Sequence, residues 1–205
     1  MAEVLTFLHD TYGVEKVFTE GLSSEDAAYA SKQLADVRNN PAEVGATIFK
    51  EWQRDQGREV PGFFDSYRAQ DLIVGAQALR GTPEGDQIAQ DPLITGDTKY
   101  VWGATHILAA DGAITLAAAE DTDANGRAIL IGPTPVQGLT STEGKRIREE
   151  AALNLITRDD TLVGDKPAAL VYGTNHDFGD DVRNHNIDNN ASLGLIRIDP
   201  RACLK

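Results

Sequence analysis

Ala168-Ala169-Leu170-Val171-Tyr172-Gly173-Thr174-Asn175-His176-Asp177 decides both the fold and the position of the chemistry. Pro167 precedes it, and the apolar run Ala168–Tyr172 is too short for a buried helix. It reads as a buried strand. Gly173 then permits a tight turn that leaves the His176 imidazole at the strand tip. Asp177 follows, placed to orient His176 or to cap the next turn.

Two other runs end the same way. Val14, Val17 and Phe18 bring β-branched and aromatic content to a strand that stops at Glu20-Gly21. After the turn signal Asp111-Gly112, the run Ala113–Ala119 ends in Glu120-Asp121. In an open, mostly parallel α/β sheet the carboxyl ends of the strands share one rim, and ligands bind in the crevice outside it. Glu20, Glu120 and His176 arriving there would bind a divalent metal or divide general acid and base roles between them. Crowding would push their titrations apart, as such chemistry needs. A carboxylate after a strand is equally well explained as a helix cap or turn former, and that reading stands beside the catalytic one.

Working outward, Val4, Leu5, Phe7, Leu8 and Tyr12 have helical spacing over residues 3–12, ended by Gly13. Ser23-Ser24 with Glu25 and Asp26 opens a helix to about Val37. Asn39-Asn40-Pro41 breaks it, Ala42–Arg54 forms a second helix, Gly57–Gly62 connects, and Phe63–Leu79 forms a third with Phe64, Tyr67, Leu72, Ile73 and Leu79 toward a core. Residues 81–98 read as a surface loop with a helical turn near Pro92, and Tyr100–Ala110 fits helix or strand equally. Arg127–Ile131 reads as a short strand, Ser141-Thr142-Glu143 opens a helix through about Thr157, the stretch to Asn190 is polar and turn-prone, and Leu193–Ile198 alternates as a last strand. The expected fold is one α/β domain over 1–205, a mostly parallel central sheet with flanking helices and a helical insertion over 40–98.

Composition limits the function. The 205 residues carry 19 Lys+Arg against 32 Asp+Glu, a net charge of −13, with 41% hydrophobic residues. This describes a soluble globular domain with no basic patch for nucleic acid. Its acidity favours cationic ligands and divalent ions over anionic substrates. No apolar run approaches the roughly 18 residues of a membrane span, and no export signal is visible, so cytoplasmic is the default compartment. Cys203 is the single cysteine, which excludes an internal disulfide and a cysteine-based zinc site and reads as an incidental thiol. The familiar nucleotide-loop, nucleophile-elbow and zincin motifs are missing from the sequence. Asn175-His176-Asp177 is similar to the Gly-Asn-His-Asp/Glu element of dinuclear metallophosphoesterases, but Thr174 interrupts it and its Asp-x-His and Gly-Asp-x-x-Asp partners are missing.

Gly103-Ala104-Thr105-His106 repeats the Gly-x-x-His spacing. His106 would add a metal-ligating imidazole if Val101-Trp102 ends a strand, and would be a satisfied helix-face histidine if the stretch is helical. His185 lies among polar residues and reads as solvated, and His9 suits the end of the first helix.

Taken together, Leu5–Val14 running into Val17-Phe18-Thr19-Glu20-Gly21, Ala118-Ala119-Glu120-Asp121, and Val171–Phe178 resemble blocks of the TraB/ChaN/erythromycin-esterase-like superfamily, which includes the Tiki proteins. The resemblance implies an α/β core, a helical insertion and a Glu/His site at strand ends. Some such proteins are metal-dependent proteases with Gly-x-x-His motifs, and others hydrolyse small molecules or bind haem. By position, Glu20 is the glutamate after the family's second strand, His176 the histidine of its later Gly-x-x-His, and Glu120 part of an acidic block. In the family a strand with an acidic residue and a histidine precedes the first helix, whereas this chain begins inside that helix. Either the sequence is N-terminally shortened, or His106 replaces the ligand, or activity has been lost. A missing central strand would leave an unpaired neighbour, which makes a homodimer an expectation.

The expected function is therefore metal-assisted hydrolysis of an ester or amide bond in a small molecule or peptide. Glu20, Glu120, His176 and Asp177 would be catalytic, and Glu20, His176 and His106 would hold Mn, Co or Zn. The competing expectation is a noncatalytic or degenerate protein of the same fold that binds a cation or small ligand.

Overall fold

The computed structural model describes residues 2–56, 65–94, 104–159, 167–173 and 175–196. Expectations on Gly57–Gly62, Phe63, Phe64, the side chain of Tyr67, residues 95–103 with Val101-Trp102-Gly103, Thr174, Ile198 and Cys203 fall outside them. The chain divides into two compact units, 1–16 with 28–116 and 17–27 with 117–205. Among the described residues no helix is long and apolar enough to cross a membrane.

Among the described residues three short strands, β1 (Lys16–Thr19), β2 (Thr115–Ala118) and β3 (Ala169–Val171), form a parallel sheet in the order β2-β1-β3. Each lies inside a run read as a strand from its apolar and β-branched content, trimmed at the ends. The fold is thus mixed α/β around a small sheet. β1 and β3 pair in register, with Val17 opposite Ala169, Phe18 opposite Leu170 and Thr19 opposite Val171.

The first unit is helical: α1 (Ala2–Tyr12), most of α2 (Ser24–Asn39), α3 (Pro41–Asp55), α4 (Asp65–Ala78), α5 (Pro83–Ala89) and α6 (Ala104–Ala110). Residues 40–98 hold α3, α4 and α5 and, among the described residues, no strand. Their core is Ala69, Leu72, Ile73, Ile88 and Ile94, packed by Ile48, Phe49 and Trp52. Trp52 keeps its polar end satisfied by donating from Nε1 to Asp91 Oδ2 at 2.7 Å. The stretch expected as a loop contains α5 because Thr82 caps it, accepting from the Gly85 N–H at 3.2 Å, with Pro83 in the first turn.

The second unit adds α7 (Thr122–Ile131), α8 (Pro135–Thr140), α9 (Thr142–Thr157) and α10 (Gly179–Asn189). Its core joins Phe18 of β1, Ala119 after β2 and Ala152 of α9, packed by Ile156, Leu170, Tyr172 and Phe178. Three expectations are corrected here. Arg127–Ile131 is the last part of α7, which starts where the Asp121 carboxylate accepts from the Ala124 N–H at 2.7 Å. The polar stretch before Asn190 is α10, closed by Asn190 in the left-handed conformation at φ 49°. Leu193–Ile196 is not a strand, since the Asn186 amide takes both ladder groups of Leu193, accepting from its N–H at 2.8 Å and donating to its C=O at 3.0 Å.

Candidate functional site

Parallel pairing of β1 with β3 puts the residues that follow both strands at one end of the sheet. The ladder runs one step beyond β1, with the Glu20 N–H donating to the Val171 carbonyl at 2.9 Å. The Glu120 N–H donates to the Leu22 carbonyl at 3.0 Å, which fixes the residue after β2 beside the same turn. Gly21, at φ 82°, makes that turn at no steric cost and donates its N–H to Glu120 Oε1 at 3.3 Å. Glu20, Glu120 and His176 therefore meet, as their positions after strands suggested.

The cluster contains two residues that sequence reasoning missed, both on α9. The small Ala152, fully buried, seats α9 in the core of the unit, and one turn earlier Arg148 and Glu149 reach the strand ends. Arg148 Nη2 donates to Glu20 Oε1 at 2.9 Å and to Glu120 Oε1 at 2.8 Å, while Nε donates to Asn125 Oδ1 at 3.2 Å. Its guanidinium also stands 5.7 Å from the centroid of the Tyr172 ring. Burial alone would lower the Arg148 pKa, but the hydrogen bond and charge of Glu120, with Tyr172 and Glu20, hold it above its ordinary value. The guanidinium is a permanent cation in the site.

Glu149 holds His176. Its Oε1 lies 2.8 Å from His176 Nδ1 and also accepts the Asp177 N–H at 3.1 Å. With an ionised Glu149, Nδ1 is the donor to it, and in the neutral imidazole Nε2 is then the acceptor, 3.8 Å from Glu20 Oε1. That gap is too long for a direct hydrogen bond. The ring is further fixed edge-on against Tyr172, at 4.6 Å between centroids. Of the two places expected for Asp177, at the imidazole or at the next turn, its side chain takes the second, Oδ1 accepting the Gly179 N–H at 3.1 Å at the start of α10.

The two glutamates differ in what they have left to give. Glu120 is buried and engaged on both oxygens: Oε1 by Arg148, Gly21 and the Tyr172 hydroxyl at 3.4 Å, Oε2 by Asn125 Nδ2 at 2.5 Å. Burial, with the charge of Glu120, pushes the Tyr172 hydroxyl well above the usual tyrosine range, so it stays a neutral donor. Glu20 is partly exposed, accepts from Arg148 and from the Gly173 N–H at 2.6 Å, and faces Nε2. Glu120 is an anchor, and Glu20 is the accessible carboxylate.

Between Glu20 and Glu120 the charge is already met by a side chain of the protein itself. The position bridging Glu20 and Glu120 is held by the Arg148 guanidinium, and a second cation there would meet a fixed positive charge. Among the described residues no group of three or more His, Cys, Asp or Glu side chains could hold a metal ion. His106 belongs to the first unit, buried on α6 with Nδ1 3.4 Å from the Thr105 hydroxyl. Its stretch is helical from Ala104, the helix-face alternative weighed for it.

Asp181 of α10 adds a pH dependence. Burial, with the charges of Glu149, Glu150 and Asp180, pushes its carboxyl up from 3.8 to about 6. The folded value exceeds the unfolded one, so the folded state favours the protonated form. The resulting penalty is absent below about pH 4 and complete once pH has risen past about 6. Asp181→Asn is expected to raise stability at about pH 8 by about 1 kcal/mol, after allowance for solvent screening, and to leave it unchanged near pH 4. Denaturant melts at the two pH values measure this, and an equal effect at both would contradict it.

No protein-family model matches the chain, and no curated protein or solved structure does either.

Proposed function

We propose that the strand-end cluster hydrolyses an ester or amide bond, with His176 as general base. The observation that carries this reading is the Glu149–His176 pair, which leaves Nε2 as an acceptor facing the accessible carboxylate of Glu20. A buried carboxylate that fixes the tautomer and orientation of an imidazole is the arrangement a general base requires. Nε2 takes a proton from water, the resulting hydroxide adds to the carbonyl carbon, and the imidazolium returns the proton to the leaving oxygen or nitrogen. Glu149 and Glu20 stabilise the imidazolium that forms between these steps. Arg148 supplies positive charge for the developing oxyanion through Nη1, which has no hydrogen bond among the described residues.

This reading differs from metal-assisted hydrolysis in drawing its positive charge from Arg148, which is bonded to both Glu20 and Glu120. It also directs the proposed kinship with the TraB/ChaN/erythromycin-esterase-like superfamily toward its small-molecule hydrolases, on the blocks around Glu20, Glu120 and His176.

The test is a screen of p-nitrophenyl esters and short peptide amides with the wild type, His176→Ala and Glu149→Gln. Removing the base is expected to lower the rate on any accepted substrate by about 10²–10⁴-fold. Glu149→Gln, which loses the charge and keeps the shape, is expected to lower kcat with little change in KM. Turnover that His176→Ala leaves intact would overturn the assignment. A metal-dependent rate, abolished by chelator and restored by Mn, Co or Zn, would overturn the metal-free form. Absence of turnover on the whole panel, with retained ligand binding, would favour the noncatalytic reading.

A further inference from the structure

A cavity of about 350 Å³ in the second unit lies away from the Glu20–His176 cluster, between α7 and α9. Its α9 wall is one helical stripe: Ile147, Ala151 and Leu155 supply apolar surface, and Arg158 ends it. Arg127 of α7 lines the same space. Among the described residues, neither the Arg127 nor the Arg158 guanidinium has a hydrogen-bond or ion-pair partner. This is unexpected in a chain with 32 acidic residues against 19 basic ones.

The acids that share the cavity are committed elsewhere. Asp121 caps α7 through the Ala124 N–H at 2.7 Å. Glu143 holds Arg146 with both oxygens, at 2.8 and 3.0 Å, and Glu150 holds its other nitrogen at 3.3 Å. The lining is balanced in formal charge, three carboxylates against three guanidinia, but Glu143 and Glu150 are drawn to Arg146 within α9, and the Arg127 and Arg158 guanidinia keep all their donors open among the described residues, above an apolar wall.

We infer that the α7–α9 cavity is a binding site for a small organic anion, a carboxylate or phosphate head on a short aliphatic body. Guanidinia match both head groups with paired N–H donors. The body rests on Ile147, Ala151 and Leu155, and the volume lies at the small end of the range for ligand sites. The inference is independent of the hydrolytic reading, since it uses no residue of the Glu20–His176 cluster.

Isothermal titration of the full chain with hexanoate, hexyl phosphate, inorganic phosphate and hexylammonium tests it, comparing the wild type with R127Q/R158Q. Both arginines are exposed, so the double variant is expected to fold, and a thermal melt checks this. The single variants R127Q and R158Q provide the same comparison should the double one fail to fold. At least one of the two hexyl anions is expected to bind the wild type and to bind the double variant at least about tenfold more weakly. The tighter of the two identifies the head group. Equal binding to both proteins, binding of hexylammonium as tight as the anions, or no binding of either hexyl anion would overturn the site. Inorganic phosphate binding as tightly as hexyl phosphate would mean an adventitious ion only, and would overturn it as well.

Discussion

Replacing Arg148 by leucine is expected to destabilise the second unit by about 3 kcal/mol or more. Among the described residues the guanidinium is the one cation bonded to both Glu20 and Glu120, and the Glu120 side chain is only 7% exposed. Leucine fills part of the space on Tyr172 but leaves the Glu120 charge compensated only by Asn125, Gly21 and the Tyr172 hydroxyl. Stranding one member of a buried charge pair costs more than the intact pair contributes, because the remaining charge stays desolvated. R148L/E120Q is therefore expected to recover a substantial part of the loss, a non-additivity of about 1–3 kcal/mol between the two positions. Denaturant melts of the four proteins give the cycle. Additive effects would show that the pair is not coupled and that Arg148 acts through packing alone. The same variant also probes the metal question. With the bridging guanidinium removed, Mn, Co or Zn is expected to stabilise R148L more than the wild type. Stabilisation of the wild type to the same extent would mean that Arg148 does not occupy the bridging position.

The strand-end carboxylates were legible because a parallel sheet converts a local pattern, an apolar run ending in Glu or His, into a shared place. Pairing of β1 with β3 brings Glu20 and Gly173 together, and no more than the two runs is needed to see it. Arg148 and Glu149 were not legible for the opposite reason. Their position depends on which face of α9 meets the sheet, and the apolar residues Ile147, Ala151, Leu153 and Ile156 span too wide an arc to fix that face. The structure chooses Ala152 and Ile156 as the contact and leaves Ile147 and Ala151 on the cavity. Asp121 was read with Glu120 as the chemical end of a strand, whereas its carboxylate starts α7. Once that cap is recognised, Arg127–Ile131 continues a helix, and its apolar content no longer argues for a strand. The residues placed by a strand end were found by the parallel pairing, those placed by a helix phase were not, and the local cap at Asp121 was missed as well.

Gly144→Ala is expected to destabilise the second unit by about 2–3 kcal/mol, against the ordinary preference of helices for alanine. Ser141 caps α9 by accepting from the Gly144 N–H at 2.9 Å, while its own hydroxyl donates back to the Gly138 carbonyl at 2.7 Å. One hydroxyl thus serves the start of α9 and the end of α8, and this draws the Gly138 carbonyl over the first turn of α9. A Cβ on Gly144 would fall on that carbonyl oxygen, well inside van der Waals contact. The neighbour is backbone, so no rotamer relieves the overlap, and either the cap or the α8–α9 junction must open. The first unit repeats the device: the Thr82 hydroxyl donates to the Leu79 carbonyl at 2.9 Å and accepts from Gly85, whose Cβ would meet the same carbonyl. In both places the motif is a hydroxyl residue, an acidic residue two positions on and a glycine three positions on, Ser141-Thr142-Glu143-Gly144 and Thr82-Pro83-Glu84-Gly85. Gly126, in the middle of α7, has nothing within 4 Å of a built Cβ. Gly126→Ala is therefore expected to stabilise by about 0.5–1 kcal/mol. For a chain of this size the two substitutions should move Tm in opposite directions, by about 5–10 °C down and about 2–3 °C up. Scanning calorimetry of both variants decides the point: if Gly144→Ala stabilises as Gly126→Ala does, the carbonyl does not lie over the first turn, and the glycine is there only as a weak helix former.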